Sequence, residues 1–196
     1  MSTSYTDTIT TANTLLNDNK LKESIPFYEK ALKTTDTIEE KIDLLNLIGR
    51  LYLSIGQNNN AIKSFENSLK EHEKLSAEKS ELLMANKGGI LNNLGILAVN
   101  TNVKSAIDWH KKALGIFTQK NEEDSEKFKA HLANTHFSLA DAFYKKPDFY
   151  QAKKQFKNAI LFYKELSEID PGTYNPLIAS THYYLGNIYN DDNAVY

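Results

Sequence analysis

The fold of this chain is decided by residues 61–69, AIKSFENSL, because the same pattern occurs three more times along the sequence. The pattern is a small residue, three variable residues, an aromatic ring or histidine, two variable residues, a small residue and an aliphatic one. The other copies are SIPFYEKAL at 24–32, AIDWHKKAL at 106–114 and AKKQFKNAI at 152–160. Successive copies are 37, 45 and 46 residues apart, and such spacings are typical of solenoid repeats.

A second element recurs about twelve residues before each of these copies, with a fifth occurrence near the carboxyl end. Its versions are TTANTLL at 10–16, NLIGRLY at 46–52, NNLGILA at 92–98, SLADAFY at 138–144 and YLGNIYN at 184–190. A small residue holds one equivalent position in all five, where it lets two helices approach closely. These small residues are Ala12, Gly49, Gly95, Ala140 and Gly186. Each unit therefore predicts a helix A, a short turn and a helix B.

These paired motifs resemble the tetratricopeptide repeat family, and the lengthened repeats with the LNNLG segment are similar to kinesin light chain-like repeats. The resemblance implies an all-α, right-handed superhelical solenoid of antiparallel helix pairs, with about four and a half repeats. We expect one domain over residues 1–196, with repeats at about 5–36, 37–78, 79–122 and 125–170 and a half repeat at 175–196. Because 45 and 46 residues exceed the 34 of a standard repeat, the helices should be longer by whole turns.

The carboxyl-terminal half repeat predicts an incomplete edge. Asn175 offers a helix cap with Pro176 at the first helical position, and no helix B follows the motif at 184–190. We therefore expect Tyr184, Leu185 and Ile188 to be partly uncovered. A longer array, a partner or a second copy of the chain would cover them.

Composition excludes several classes of function. The net charge of −2 and pI near 6.2 provide no excess charge to attract nucleic acid or an anionic membrane. Cysteine is absent, so thiol chemistry and disulfides are excluded, and a reducing compartment is indicated. The first residues lack an export signal, and no stretch is long and apolar enough to span a bilayer. We predict a cytoplasmic protein that binds neither nucleic acid nor membrane.

No motif for catalysis or for a cofactor is present. The sequence lacks a GxSxG elbow, a GxxxxGK[ST] phosphate loop and a GxGxxG turn. His110 replaces the helix B aromatic, and His136 and His182 share one repeat position, so packing explains all three. His131 and His136 are five residues apart, unlike the two histidines of a zinc helix. We therefore expect no enzyme, no metal and no cofactor.

The A helices of such a solenoid line its concave surface, so a ligand should contact the A-helix residues that packing does not use. In the family, the residues three before and one after the small position point inward. With their neighbours, these residues predict a peptide-binding or protein-binding groove. Its members are Asn46, Arg50, Asn92, Asn93, Ile96, Asn134, Phe137, Asp141, Tyr144, Tyr183 and Asn187.

Two interpretations of these residues stay open. Asparagine can both donate to and accept from the main chain of an extended peptide, and aromatic rings are favoured anchors in interfaces. In a sequence this rich in asparagine, however, several such residues face water by chance. Two further surfaces are candidates for binding. One is a secondary contact at Trp109. The other is a lysine-rich face around the fourth helix B, which either binds an acidic partner or is simply exposed to solvent. Those lysines are Lys145, Lys146, Lys153, Lys154 and Lys157.

The leading hypothesis is a scaffold or adaptor that holds a peptide or protein segment in the concave groove. One alternative is a sensor module in which a peptide controls an effector domain outside this chain. The other is self-association through the incomplete carboxyl-terminal repeat. The fold serves many unrelated partners, so the pattern does not name the partner.

Overall fold

The computed structural model describes residues 4–193 of the chain, with side chains as far as residue 190. Over these residues the chain forms helices and no strand, as the repeat pattern predicts. The last three residues of the predicted half repeat, 194–196, lie outside the described part. The helices are α1 (Tyr5–Asn17), α2 (Leu21–Leu32), α3 (Ile38–Ser54), α4 (Asn58–His72), α5 (Ala77–Leu82), α6 (Met84–Ala98), α7 (Val103–Glu123), α8 (Ser125–Lys145), α9 (Phe149–Ser167) and α10 (Pro171–Asn193).

The chain forms two compact units, residues 1–83 and residues 84–196. In the first unit α1 packs on α2, α2 on α3, and α3 on α4. In the second unit the same succession runs from α6 through α10. Within each unit, helix A and helix B alternate as the two recurring motifs predict.

Short polar side chains begin most of these helices. The Ser4 hydroxyl accepts from the Asp7 amide in a capping box that opens α1, and Asn102, Asp124 and Asp148 cap α7, α8 and α9 in the same way. Each cap satisfies an amide that has no partner inside the helix. After α3 the chain turns at Gly56, whose φ of 74° suits glycine.

The first unit is held by apolar side chains from α1, α2 and α3. Ala12, Ile25, Tyr28 and Ile48 are among its buried members. The Tyr28 hydroxyl donates to Asn13 Oδ1 at 2.6 Å, so the polar end of this buried ring has a partner. Lys79 on the short helix α5 pairs with Glu39 on α3.

The core of the second unit joins all five of its helices. Ile107, Leu139, Phe156 and Ile188 are buried in it, and the single tryptophan, Trp109, packs against it while half-buried. Trp109 is therefore a fluorescent reporter of this unit's folding. Partial burial of Trp109 does not test the predicted secondary contact, which stays a prediction.

The two long repeat spacings arise in different ways. In the spacing of 46 residues, α7 and α8 each extend to 21 residues, which confirms the predicted lengthening by whole turns. In the spacing of 45 residues, the additional length includes α5, a helix of six residues that the motifs do not predict.

The fifth helix A begins earlier than its sequence indicates. We expected Asn175 to cap it, yet α10 begins at Pro171, and Pro176 lies inside it. The Asp170 carboxylate accepts from the Thr173 amide at 3.1 Å and takes the capping role instead. A proline at the first helical position costs no internal hydrogen bond, so Pro171 provides the start that we had assigned to Pro176.

Two burial predictions for α10 were wrong. Leu185 is 7% exposed and Ile188 is fully buried, because both pack onto the core that α9 shares with α10. The side chains that α10 leaves open are instead Tyr183 and Tyr189, which are 68% and 46% exposed.

The small residues of the A helices do allow close helix packing, with one exception. A methyl group added at Gly49 would stand 2.6 Å from Phe65 Cε1, and one added at Gly95 would collide with the His110 ring. At Gly186 the same methyl group would meet no described atom within 4 Å. The predicted close approach is therefore confirmed at Gly49 and Gly95, and it was wrong at Gly186.

Alanine at Gly95 and alanine at Gly186 should have opposite effects on stability. Overpacking a well-filled site costs about 1–3 kcal/mol, whereas alanine gains up to about 1 kcal/mol over glycine in a helix. We expect Gly95→Ala to lower the free energy of unfolding by about 1–2 kcal/mol. Gly186→Ala should raise it by about 0.5–1 kcal/mol. Urea titrations followed by Trp109 fluorescence measure both changes, and equal effects of the two variants would contradict the packing difference.

Candidate functional site

The predicted groove residues all lie on A helices, and each unit holds its own share. In the first unit, Asn46 is half-buried on α3 and Arg50 is exposed on the same helix. The other nine lie in the second unit. They are Asn92, Asn93 and Ile96 on α6, Asn134, Phe137, Asp141 and Tyr144 on α8, and Tyr183 and Asn187 on α10.

Three of the predicted residues in the second unit line one small cavity. Ile96, Phe137 and Asp141 share its wall with Val99, His110 and Ser138, and its volume is about 240 Å³. Ile96 is 42% exposed at this surface, although isoleucine usually lies inside a protein. The cavity combines apolar walls with a few polar groups, which is the usual composition of a binding site.

His110 is the most unusual group in this cavity. The ring is 1% exposed, and burial lowers its pKa to about 4, so the imidazole is neutral at neutral pH. Its Nδ1 lies 2.8 Å from Asn92 Oδ1, so with the amide oxygen facing the ring Nδ1 is the donor. Nε2 is then an acceptor, and it is buried with no hydrogen-bond partner among the described residues. The ring packs against Gly95 of α6, and its Nε2 has almost no accessible surface there.

Asp141 brings a partly desolvated carboxyl group to the same cavity. Burial raises the pKa of this carboxyl, and the positive charge of Lys145 partly opposes the rise. A carboxylate that has lost part of its hydration is stabilised by a nearby cation or a strong donor. The cavity therefore presents one charged acceptor, the Asp141 carboxylate, to whatever enters it.

A strip of aromatic rings lies beside the cavity and centres on Tyr184. Phe137, Tyr144 and Tyr183 have ring centroids 5.7, 6.1 and 6.0 Å from that of Tyr184, all in edge-to-face contact. Phe137 belongs to both the cavity and the strip, so the two features are continuous. Tyr183 ends the strip and is 68% exposed. Three of the predicted residues thus meet around one tyrosine.

The asparagines are more constrained than the sequence indicates. Asn134 Oδ1 accepts from the Tyr163 hydroxyl at 2.7 Å, and Asn92 Oδ1 faces His110. Each oxygen already has one partner from helix B, which fixes the orientation of its amide. Asn93 and Asn187 are half-buried, and their contact with a peptide main chain stays a prediction.

Sequence reasoning missed the polar side of the cavity. We assigned His110 to packing, and its burial confirms that role, but the residue also forms part of the cavity wall beside Ser138 and Asp141. A signal was available, because His110 occupies the position that Phe65 and Phe156 hold in other repeats. A titratable ring at an aromatic core position marks a place where a polar partner is expected.

The two histidines that share one repeat position, His136 and His182, differ in burial. His136 is buried, with Nδ1 2.7 Å from Gln155 Oε1 and its ring stacked on Phe162. His182 was expected to be in the equivalent packing position, and that expectation was wrong, because its side chain is exposed. Among the described residues, no three histidine, aspartate or glutamate side chains come together to hold a metal ion. No helix in the described part has the length and apolar character needed to cross a membrane.

Comparisons with known proteins agree with this architecture. Residues 42–71 and 140–173 match the family model of the tetratricopeptide repeat. The first segment covers most of α3 and α4, and the second runs from the end of α8 through α9. No protein among curated sequences matches the chain significantly.

Solved structures show the same fold at low sequence identity. Aspartyl phosphate phosphatase F from Bacillus subtilis aligns over 96% of this chain and 48% of its own, at 19% identity and a TM-score of 0.68. The apo form of RapI aligns over 97% of this chain and 49% of its own, at 13% identity and a TM-score of 0.65. The chain thus spans about half the length of these two proteins. BtubC (BKLC) from P. vanneervenii aligns over 82% of this chain and 80% of its own, at 17% identity and a TM-score of only 0.47.

Proposed function

We propose that this chain, in which residues 42–71 and 140–173 match the tetratricopeptide repeat, is an adaptor that binds a segment of another protein on the A-helix face of its second unit. One side chain of that segment enters the cavity formed by α6, α7 and α8. The observation that carries the proposal is a cavity in which the partly desolvated Asp141 carboxyl lies beside the apolar side chains of Ile96 and Phe137. Repeats of this family generally form interaction modules, and binding requires no cofactor.

The size of the cavity favours a side chain over a small molecule. Pockets for drug-sized ligands have volumes of about 300–1,000 Å³, and this cavity measures about 240 Å³. A single long side chain reaching in from a peptide suits that volume. The rest of the peptide would then lie along the exposed surface.

The chemistry of the walls selects the kind of side chain. The Asp141 carboxylate accepts hydrogen bonds and favours positive charge. Ile96 and Phe137 offer apolar contact to an aliphatic stem. Lysine and arginine combine such a stem with a cationic donor, so we propose that the bound segment carries one of them at this position.

The aromatic strip gives the same segment a second anchor. Phe137 and Tyr184 join the cavity to the exposed ring of Tyr183. Tyrosine rings supply a large contact area with few rotatable bonds, which is why they are frequent in binding hot spots. An apolar residue near the basic one would pack there.

A displayed peptide library tests this proposal. The wild-type protein should enrich peptides with lysine or arginine beside an apolar residue. Asp141→Asn should weaken the best peptide at least tenfold, because truncating one member of a desolvated charge pair costs about 2–5 kcal/mol. Fluorescence anisotropy with the labelled peptide measures the change.

The matched control for this test is Asp108→Asn, because Asp108 is exposed on α7 and does not line the cavity. This variant should bind like the wild type. Equal losses from Asp141→Asn and Asp108→Asn, or library peptides without basic residues, would contradict the proposal. The roles of Asn46 and Arg50 in a groove, self-association, control of an effector domain and a cytoplasmic location stay predictions from the sequence.

A further inference from the structure

A second surface, separate from the cavity, is an apolar groove between α9 and α10. We name it the edge groove, and its volume is about 670 Å³. Its floor includes Ile160 and Leu185, which are nearly buried, while Leu161 and Tyr189 are 61% and 46% exposed along it. The residues that line it are Lys157, Ile160, Leu161, His182, Leu185, Gly186 and Tyr189.

Among the described residues, none places an aromatic ring in the edge groove where other repeats have one. Gly49 on α3 lies against the Phe65 ring of α4, and Gly95 on α6 lies against the His110 ring of α7. Gly186 holds the same position on α10, and no described atom outside its own stretch of helix lies within 4 Å of where its Cβ would be. The helix surface at Gly186 is therefore open where a ring packs at the two equivalent positions.

The sites at Gly49 and Gly95, where a ring is present, show what kind of segment carries that ring. Phe65 and His110 each follow a small residue of the same helix by four positions, Ala61 and Ala106. Both small residues are fully buried, so the two positions form one face of the helix that packs on the glycine. A segment that fits Gly186 in the same manner is an amphipathic helix with a small residue and a ring four positions later.

The charges around the edge groove select among such helices. Lys157 and His182 line it, and none of its seven lining residues is acidic. Lys153 Nζ lies over the Tyr189 ring, 5.3 Å from its centroid, at one end of the groove. Opposite charges at the rim favour a partner with acidic residues beside its apolar face.

We propose that the edge groove binds an acidic amphipathic helix of another protein, with an aromatic ring packed on Gly186 and acidic side chains beside Lys157. A second copy of this chain is a poorer occupant. Its own edge groove carries Lys157 and no acidic lining residue, so two such grooves lack the opposite charges that favour pairing.

A labelled peptide derived from α4 provides a direct probe. Residues 57–73 contain Ala61 and Phe65 in the required spacing, and Lys63→Glu and Lys70→Glu within the peptide make it acidic. We expect saturable binding to the whole protein, measured by fluorescence anisotropy. Gly186→Leu should weaken binding at least tenfold, since its side chain occupies the place of the ring.

Matched controls separate binding at Gly186 in the edge groove from general effects of a substitution on the protein or the peptide. Gly115→Leu changes an exposed glycine of α7 that also has open space around it, and this variant should bind like the wild type. Phe65→Ala within the peptide should weaken binding as strongly as Gly186→Leu does in the protein. Lys157→Glu should weaken binding several-fold, whereas Lys154→Glu, on the same helix outside the groove, should not.

Three outcomes would overturn the proposal. They are no saturable binding of the acidic peptide, equal binding by Gly186→Leu and Gly115→Leu, or tighter binding of the parent peptide that keeps its lysines. Sedimentation velocity over a range of protein concentrations tests whether a second copy of the chain occupies the edge groove instead. A dimer that Gly186→Leu abolishes would assign the edge groove to a second copy. The library experiment on Asp141 concerns the other surface, so the two proposals fail independently.

Discussion

Phe156→Ala should lower the free energy of unfolding by about 3–5 kcal/mol, the usual cost of removing a buried phenylalanine. The Phe156 side chain is fully buried, and its centroid lies 5.5 Å from Phe137 and 5.4 Å from Tyr184. Alanine would leave a cavity beneath the aromatic strip. Urea titration followed by Trp109 fluorescence reports the change, because Trp109 packs against the same core.

The control for this prediction is Leu161→Ala on the same helix. Leu161 is 61% exposed, so its truncation should change the free energy of unfolding by no more than about 0.5 kcal/mol. If Phe156→Ala cost no more than Leu161→Ala, Phe156 would not be the centre of this core. Peptide binding at the cavity should also weaken in Phe156→Ala, because Phe137 and Tyr184 lose the ring that supports them.

Acidification should destabilise the second unit through His110. Burial lowers the pKa of His110 from 6.5 to about 4. Between pH 6.5 and pH 4 the unfolded chain therefore takes up a proton at this residue that the folded chain does not. Stability is therefore at its full value above pH 6.5 and falls as the pH decreases towards 4. The loss amounts to about 3 kcal/mol, at 1.36 kcal/mol for each pKa unit.

His110→Phe isolates this contribution, because phenylalanine holds the same repeat position at Phe65 and Phe156. Burial also lowers the pKa values of His131 and His136, so the variant should keep part of the pH dependence. The difference between wild type and variant, from urea titrations at several pH values, should appear between pH 6.5 and 4. Parallel stability curves over that range would show that His110 titrates alike in the folded and unfolded chains.

The helices were predictable because their pattern is local and repeated. Four copies of one motif placed the B helices, and the small residues at Gly49 and Gly95 marked real close contacts. Prediction failed where the outcome depended on which neighbours were present. Gly186 carries the same local signal as Gly95, but only the three-dimensional structure shows that no ring of the described residues packs on it.

The candidate site was predictable in its position and not in its chemistry. The repeat register selects Ile96, Phe137 and Asp141 as candidates on the A helices, and the structure brings them to one cavity. One wall of that cavity belongs to helix B and contains His110. From the sequence alone, His110 is interpreted only as a packing residue. Hydrogen bonds across helices, such as Asn92 to His110, connect residues 18 positions apart and have no local signature.

The succession of helix contacts has a consequence for how this protein reaches its native state. In both units, the substantial contacts join a helix to the next one along the chain, apart from a smaller contact of α6 with α8. Short loops are closed at little entropic cost, so such a topology favours rapid folding from many starting points. A growing polypeptide could therefore complete each helix pair as it leaves the ribosome, without waiting for distant sequence to be synthesised.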